Sequence, residues 1–336
     1  PSDGSSYKSF AMYVNWTWNT NEFFTFNAGT RLTYTGLRAR WKESASINAQ
    51  LSNVKLNSSA LTTTLSMTLR PSKKFQIMTV LSSGFRNPNI DDIGKIRENN
   101  GILVVPNTFL KAEYAYNLDL GINYKSLNQL TYVSFRTFAT VISRHIVRDD
   151  FIIFSDTTTS DESTILYNGE EVTTIANKNL GNRFIHGFSI DGYSYFSKSL
   201  KFNGSISYIK GDENETYGPM PSISPIFGTI SGEYSKNKFK VSALYKFSGD
   251  KSPGDFSLGG EDGLEETPEI IESNGLIKYA GTPKWSDFSI YTNYDISQDV
   301  KVRFALTNIF DNHYRSFASG ISAPGRSFQI GLYLKL

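Results

Sequence analysis

"EYAYNLDLGINY", residues 113–124, alternates without a break. Tyr114, Tyr116, Leu118, Leu120, Ile122 and Tyr124 fall on one parity; Glu113, Ala115, Asn117, Asp119, Gly121 and Asn123 fall on the other. Successive strand side chains point to opposite faces, so such a segment has one oily side and one polar side. The pattern recurs at 239–247, where Phe239, Val241, Ala243, Tyr245 and Phe247 stand opposite Lys240, Ser242 and Lys246. It recurs again at 327–336, with Phe328, Ile330, Leu332, Leu334 and Leu336 facing away from Gln329, Tyr333 and Lys335.

Applied along the chain, this period predicts thirteen strands, near 5–18, 22–37, 58–69, 75–85, 110–125, 129–143, 183–197, 200–210, 224–235, 238–248, 284–295, 299–307 and 326–336. Short polar turns fall near 19–21, 71–74, 126–128, 198–199, 236–237 and 296–298. Long loops fall near 38–57, 86–109, 144–182, 211–223, 249–283 and 308–325, so short and long connections alternate throughout. A sandwich or propeller has no reason to sort loop lengths this way. An up-and-down transmembrane barrel has tight turns at one membrane face and long loops at the other. Strands of ten or more residues exceed the usual globular length of about 5–6 and reach across a bilayer at a tilt. The expected fold is therefore all-β, an antiparallel up-and-down transmembrane barrel, in one domain over 1–336. Its long loops belong on the outer side, and Trp16, Trp18 and Trp285 fall at strand ends, where an aromatic girdle is expected.

Composition fits. Of 336 residues, 39% are hydrophobic and 14% aromatic, and no run approaches the roughly 18 apolar residues of a membrane-spanning helix. The net charge of +2 gives no reason to expect a nucleic-acid partner. With no cysteine, thiol catalysis and disulfides are excluded. The chain carries no G-x-S-x-G, H-E-x-x-H or P-loop signature, so no enzyme activity and no cofactor are expected. Pro1 begins inside the pattern with no signal peptide, and thirteen is odd where single-chain bacterial barrels have even strand numbers. A piece of a larger barrel is expected.

Five segments resemble elements of the TonB-dependent outer-membrane receptors: "GFRNPNIDDIG" (84–94), "PNTFLKAEYAYNLDLGINY" (106–124), "ANKNLGNRFIHGFSIDGYSYF" (176–196), "SISPIFGTISGEY" (222–234) and "LTNIFDNHYRSFASGISAPGRSFQIGLYLKL" (306–336). The motif positions are Gly84, Phe85, Arg86 and Pro88, then Asn308, Phe310, Asp311, Tyr314, Arg315, Pro324, Gly325 and Arg326. Asn87, Thr108, Ala112 and Leu336 depart from the family pattern.

The resemblance implies a 22-stranded barrel with an N-terminal plug, of which about nine strands and the plug would lie outside this chain. It also implies location in the outer membrane of a Gram-negative bacterium. The implied function is active import of a scarce nutrient, foremost a ferric siderophore or other metal chelate, energised by the TonB complex through the missing N-terminal region. Implied partners are outer-membrane lipid, the remaining strands and plug, and the small-molecule cargo. Haem or oligosaccharide uptake is the alternative within transport, and residues 86–109 lack the histidine expected of a haem receptor. A surface adhesin or structural β protein is the alternative of another class.

Arg86 and Arg326, at outer strand ends, are candidate anion contacts, since guanidinium offers paired donors to carboxylate or catecholate oxygens. Loop aromatics Tyr167, Tyr217 and Phe227 are candidate pocket walls. Candidate cation ligands are Asp91 with Asp92, the acidic run containing Glu261, Asp262, Glu265, Glu266 and Glu269, and His313. The blander expectation is that Asp91 and Asp92 carry the chain into water at the membrane exit, and that the acidic run is a solvated loop.

Overall fold

The computed structural model describes residues 4–40, 53–99, 101–152, 164–214, 218–257, 262–273 and 275–335. Thirteen long strands form one antiparallel sheet: β1 (Ser5–Asn21), β2 (Phe24–Arg40), β3 (Asn53–Ser72), β4 (Phe75–Arg86), β5 (Glu113–Lys125), β6 (Thr131–Ser143), β7 (Arg183–Tyr195), β8 (Leu200–Gly211), β9 (Phe227–Lys236), β10 (Phe239–Ser248), β11 (Trp285–Asp295), β12 (Val300–Thr307) and β13 (Ser327–Leu334). Each pairs with its sequence neighbours, so the order is strictly up-and-down, with β1 and β13 at the two edges.

One register parity is oily around the whole sheet. A continuous row runs Trp16, Ala28, Leu65, Leu81, Leu118, Ala139 across β1–β6. Another runs Ile230, Tyr245, Phe288 across β9–β11. These side chains are open to the surroundings: on β13, Phe328, Ile330 and Leu332 are 61–64% exposed. In water such a belt would be an aggregation surface. In hydrocarbon it is the required outer face.

The other parity is polar and carries Arg31, Asp119, Arg136, Asp191, Glu233, Lys246 and Arg303. Several of these groups pair with each other across strands, as Lys240 Nζ does with Glu233 Oε2 at 2.8 Å. This is the inward face, because loop residues Ile93, Leu110 and Ile146 bury against Leu37 on it.

The short turns are stapled by side chains that mimic backbone acceptors. Asn21 Oδ1 accepts from the N–H groups of Phe23 and Phe24. Ser197 Oγ accepts from Ser199 and Leu200, and Ser297 Oγ from Asp299 and Val300. Ser and Asn favour these positions because their short side chains reach the backbone two residues on.

The long connections are not structureless. Residues 97–99, 102–104, 146–150, 164–167 and 170–179 build a second, small sheet, with its own core of Leu103, Val105, Val172 and Ala176. This corrects the expectation that 86–109 and 144–182 are plain loops. The hairpin 164–179 turns on Asn168 and Gly169, both at positive φ, and buries Val172, Thr174 and Ala176 on one parity, a short-range signal that the reading by long strands passes over.

Candidate functional site

Candidate side chains gather where the long connections meet the strand ends. At the end of β4, Arg86 Nη2 pairs with Asp92 Oδ1 at 2.6 Å. A single helical turn, α1 (Ile90–Gly94), follows, with Asn89 as its cap. Asp92 completes a reciprocal capping box: its N–H donates to Asn89 Oδ1, and Asn89 N–H donates to Asp92 Oδ2. The turn tucks Ile93, fully buried, against the inward face. Asp91 and Asp92 thus do not lead the chain into water as a pair: only Asp91 is exposed, and Asp92 is spent on the cap and Arg86. Asn87, the departure from the family pattern, donates from Nδ2 to Thr35 Oγ1 and ties this turn to β2.

Three asparagines lock the next junction. Asn179 donates to the carbonyls of Lys111 and Arg144 and accepts from Lys111 N–H. Asn107 donates to Asn177 O, while Asn177 donates to Asp92 O. Glu113 Oε2 accepts from Ile146 N–H and faces His145 Nδ1 at 2.9 Å. Arg183, 2% exposed, pairs with Asp212 and also donates to Gly218 O.

The third junction joins the connection before β9, the one after β10 and the last one. Lys251 and Asp262 are 5% and 1% exposed and pair at 3.0 Å. Lys251 Nζ also donates to Ile223 O and lies 4.1 Å from the Phe317 ring centroid. Asp262 further accepts from Ser222 N–H, so the pair is fully hydrogen-bonded, as a buried ion pair must be.

The last connection holds the motif residues. Asn308, 2% exposed with φ of 47°, donates to the carbonyls of Asn312 and Pro324 and accepts from Asn312 N–H. Asp311 accepts from Arg326 N–H. Tyr314 stacks on Trp285 with centroids 4.2 Å apart and donates its hydroxyl to Asp287 Oδ2. Burial, and then the Asp287 carboxylate beside it, hold the Tyr314 phenol above its ordinary pKa, so it stays a donor. Asp287 also accepts from Lys246 Nζ and Ser289 Oγ.

Beside this network opens a cleft of about 400 Å³, lined in part by Glu266, Thr267, Lys284, His313, Tyr314 and Arg315. Arg315 donates to Glu266 O and lies 3.8 Å from its carboxylate. His313 Nε2 meets Ser322 Oγ at 3.1 Å.

Of the residues singled out from sequence, the structure brings Glu266, His313, Tyr314 and Arg315 into this cleft. Asp262 lies in the buried ion pair, and Glu265 and Glu269 are exposed. Tyr167 packs against the core of the small sheet. Phe227, 44% exposed, faces inward in the row of Ser248 and Trp285. Arg326 is exposed at the start of β13. Tyr217 and Glu261 lie outside the described residues. Among the described residues, no three acidic or histidine side chains come together as a metal site. Sequence reading missed Lys284, Asp287 and Lys251, since nothing in their local pattern marks them as partners of distant loops.

Over residues 1–309 the chain matches the family described as "TonB dependent receptor-like, beta-barrel". It belongs to that family. The last motif lies mostly beyond residue 309, so its likeness rests on the residues themselves. Among solved structures, the copper transporter OprC superposes with a TM-score of 0.76 at 15% identity, covering 98% of this chain and 50% of that one. The siderophore receptor PiuA from Acinetobacter baumannii gives 0.68 at 15% identity, covering 98% and 43%. The FrpB iron transporter from Neisseria meningitidis gives 0.66 at 14%, covering 98% and 45%. The chain thus spans about half the length of these structures, and at such identities the likeness concerns the fold. A search of curated proteins returned no match.

Proposed function

We propose that this chain supplies barrel wall and outer loops to an active importer in a Gram-negative outer membrane, and that the cargo is a ferric siderophore or another anionic metal chelate. The observation that carries the reading is the cleft at the long-loop end. It offers the Arg315 guanidinium and the Lys284 ammonium beside the stacked Tyr314 and Trp285, against one carboxylate, Glu266. Planar cationic donors suit carboxylate or catecholate oxygens, and aromatic faces suit the flat rings that carry them. The surrounding loops are tied to one another by bonds from Ser222 N–H to Asp262, from Lys251 to Ile223 O and from Arg315 to Glu266 O, so the cleft is pre-shaped. Import would then proceed by capture in the cleft and TonB-driven movement of a plug contributed by the longer receptor; this chain performs no reaction.

Haem fits less well. His145 faces Glu113 and His313 faces Ser322, while no histidine occurs in 86–109. Family membership also weighs against an adhesin.

Growth of a receptor-deletion strain on single metal sources tests the proposal. Growth on one ferric chelate should fall and be restored by the intact receptor but not by Lys284→Gln with Arg315→Gln. Undiminished growth on every siderophore, haem and copper chelate would remove the metal-import reading.

A further inference from the structure

The outward face of β1–β3 changes character at one level. From the short-turn end, the outward rows read Trp18–Phe26–Met67, Trp16–Ala28–Leu65, Val14–Thr30–Thr63, Met12–Leu32–Leu61 and Phe10–Tyr34–Ser59. On β2 the band from Phe24 to Tyr34 covers ten steps, about 33 Å along the strand and about 25 Å in height once tilted about 40°, the depth of an outer-membrane apolar belt. The next rows are Lys8–Gly36–Asn57 and Ser6–Arg38–Lys55, with Arg40 beyond. Lys8, Arg38, Arg40 and Lys55 are all exposed.

Arg38 and Lys55 face each other directly on neighbouring strands. Like charges so placed repel, and among the described residues β1, β2 and β3 carry no Asp or Glu to relieve them.

A second feature adjoins this patch. β3 pairs with β4 only from Thr64 to Ser72, which leaves Asn53–Thr62 unpaired on that side. The gap is a crevice of about 320 Å³ between the two faces, lined toward the patch by Asn57, Ser59, Tyr114, Lys111 and Arg144 and on the inward side by Thr35, Leu37 and Asn87, with no carboxylate in its wall. Arg144 lies over the Tyr114 ring, 5.9 Å from its centroid, which holds its charge at the mouth.

We propose that this patch and crevice form a docking surface for a phosphate-bearing lipid of the outer leaflet. Charge and depth both favour that occupant. The acyl chains lie along Phe10, Leu32 and Leu61, and the headgroup meets Lys8, Arg38 and Lys55 at the level where phosphates sit. Guanidinium and ammonium donors make charge-assisted bonds to phosphate oxygens, and an anionic lipid surface attracts basic side chains that lie within a Debye length of it. The crevice takes the rest of the headgroup beside Lys111 and Arg144. The proposal rests on the transmembrane reading of the barrel.

The test uses the full receptor purified in neutral detergent. Binding is measured for a bis-phosphorylated glucosamine glycolipid, for its dephosphorylated form and for inorganic phosphate alone. The expected result is at least tenfold preference for the phosphorylated lipid, with inorganic phosphate at millimolar concentration failing to displace it. Arg38→Gln with Lys55→Gln should abolish the preference, while Arg38→Lys with Lys55→Arg keeps it. Retained strand content by circular dichroism shows that the variants fold. Equal binding of both lipids, or a preference unchanged in the double glutamine variant, would overturn the proposal. Displacement by inorganic phosphate would reassign the patch to free anions. Recovery of the receptor in the aqueous fraction after carbonate extraction would instead sink the transmembrane reading itself.

Discussion

Asn308 shows how a single motif residue acts through packing rather than through ligand contact. Its left-handed backbone suits asparagine better than most residues, and its amide closes three bonds inside the last connection. Asn308→Ala should therefore lower stability by about 2 kcal/mol, the order expected when buried partners lose their bonds, read as an earlier urea midpoint in detergent. An unchanged midpoint would show that the loop is held elsewhere. Lys251 makes the same case electrostatically. Lys251→Met leaves Asp262 buried and unpaired, at a cost of about 3–5 kcal/mol. The double change Lys251→Met with Asp262→Leu should recover most of that loss. If both variants are equally unstable, hydrogen bonds to the loop backbone, not charge, hold the junction. Neither role is legible in the sequence. The motif pattern marks Asn308 as notable, but its partners Pro324 and Asn312 are fixed only by the folded loop. Asp262 reads as one member of an acidic run, and nothing local announces Lys251 as its partner.

At the scale of the element, period-two alternation carried nearly everything. The thirteen strands stand where alternation puts them, give or take their ends, because each needs a hydrocarbon-facing parity that no turn interrupts. β3 is the instructive miss: it starts at Asn53, not near 58, since Val54 and Leu56 continue the strand to bury inward while Lys55 points out. Alternation there inverts its chemistry above the membrane, so the outward residue turns basic. The two parities also make unequal demands. Leu81 sits in the middle of the outward belt and Ser82 faces inward beside Asn117. Leu81→Arg should cost about 2–4 kcal/mol in folding into lipid vesicles, the range for arginine near the midplane. Ser82→Arg on the same strand should cost less than 1 kcal/mol. Equal costs would mean that the two faces are not separated by membrane and lumen.

Taken whole, the molecule is asymmetric along the strand axis. Every short turn joins strands at one end and the long connections join them at the other, with the cleft of Arg315 and Lys284 and the basic patch of Lys8 and Arg38 at that second end. The asymmetry has a physical origin. Turns of a few residues are closed by their own serine and asparagine side chains, whereas the long connections stabilise one another through buried pairs that need several segments at once. On the importer reading proposed above, cargo would be captured at the long-loop end, with that end facing the medium. The absence of cysteine gives a clean way to test this orientation, because any single cysteine introduced is the only thiol in this chain. Ser319→Cys sits in the cleft wall, and Lys198→Cys sits in the turn between β7 and β8. In intact cells, a bulky membrane-impermeant maleimide should label the Ser319→Cys receptor and leave the Lys198→Cys receptor untouched. Lys198→Cys should become labelled only after the outer membrane is permeabilised, and the same reagent on the cleft thiol should block cargo uptake. Labelling of Lys198→Cys in intact cells with Ser319→Cys protected would invert the orientation, and the cleft would then face the periplasm, where it could not gather anything from outside.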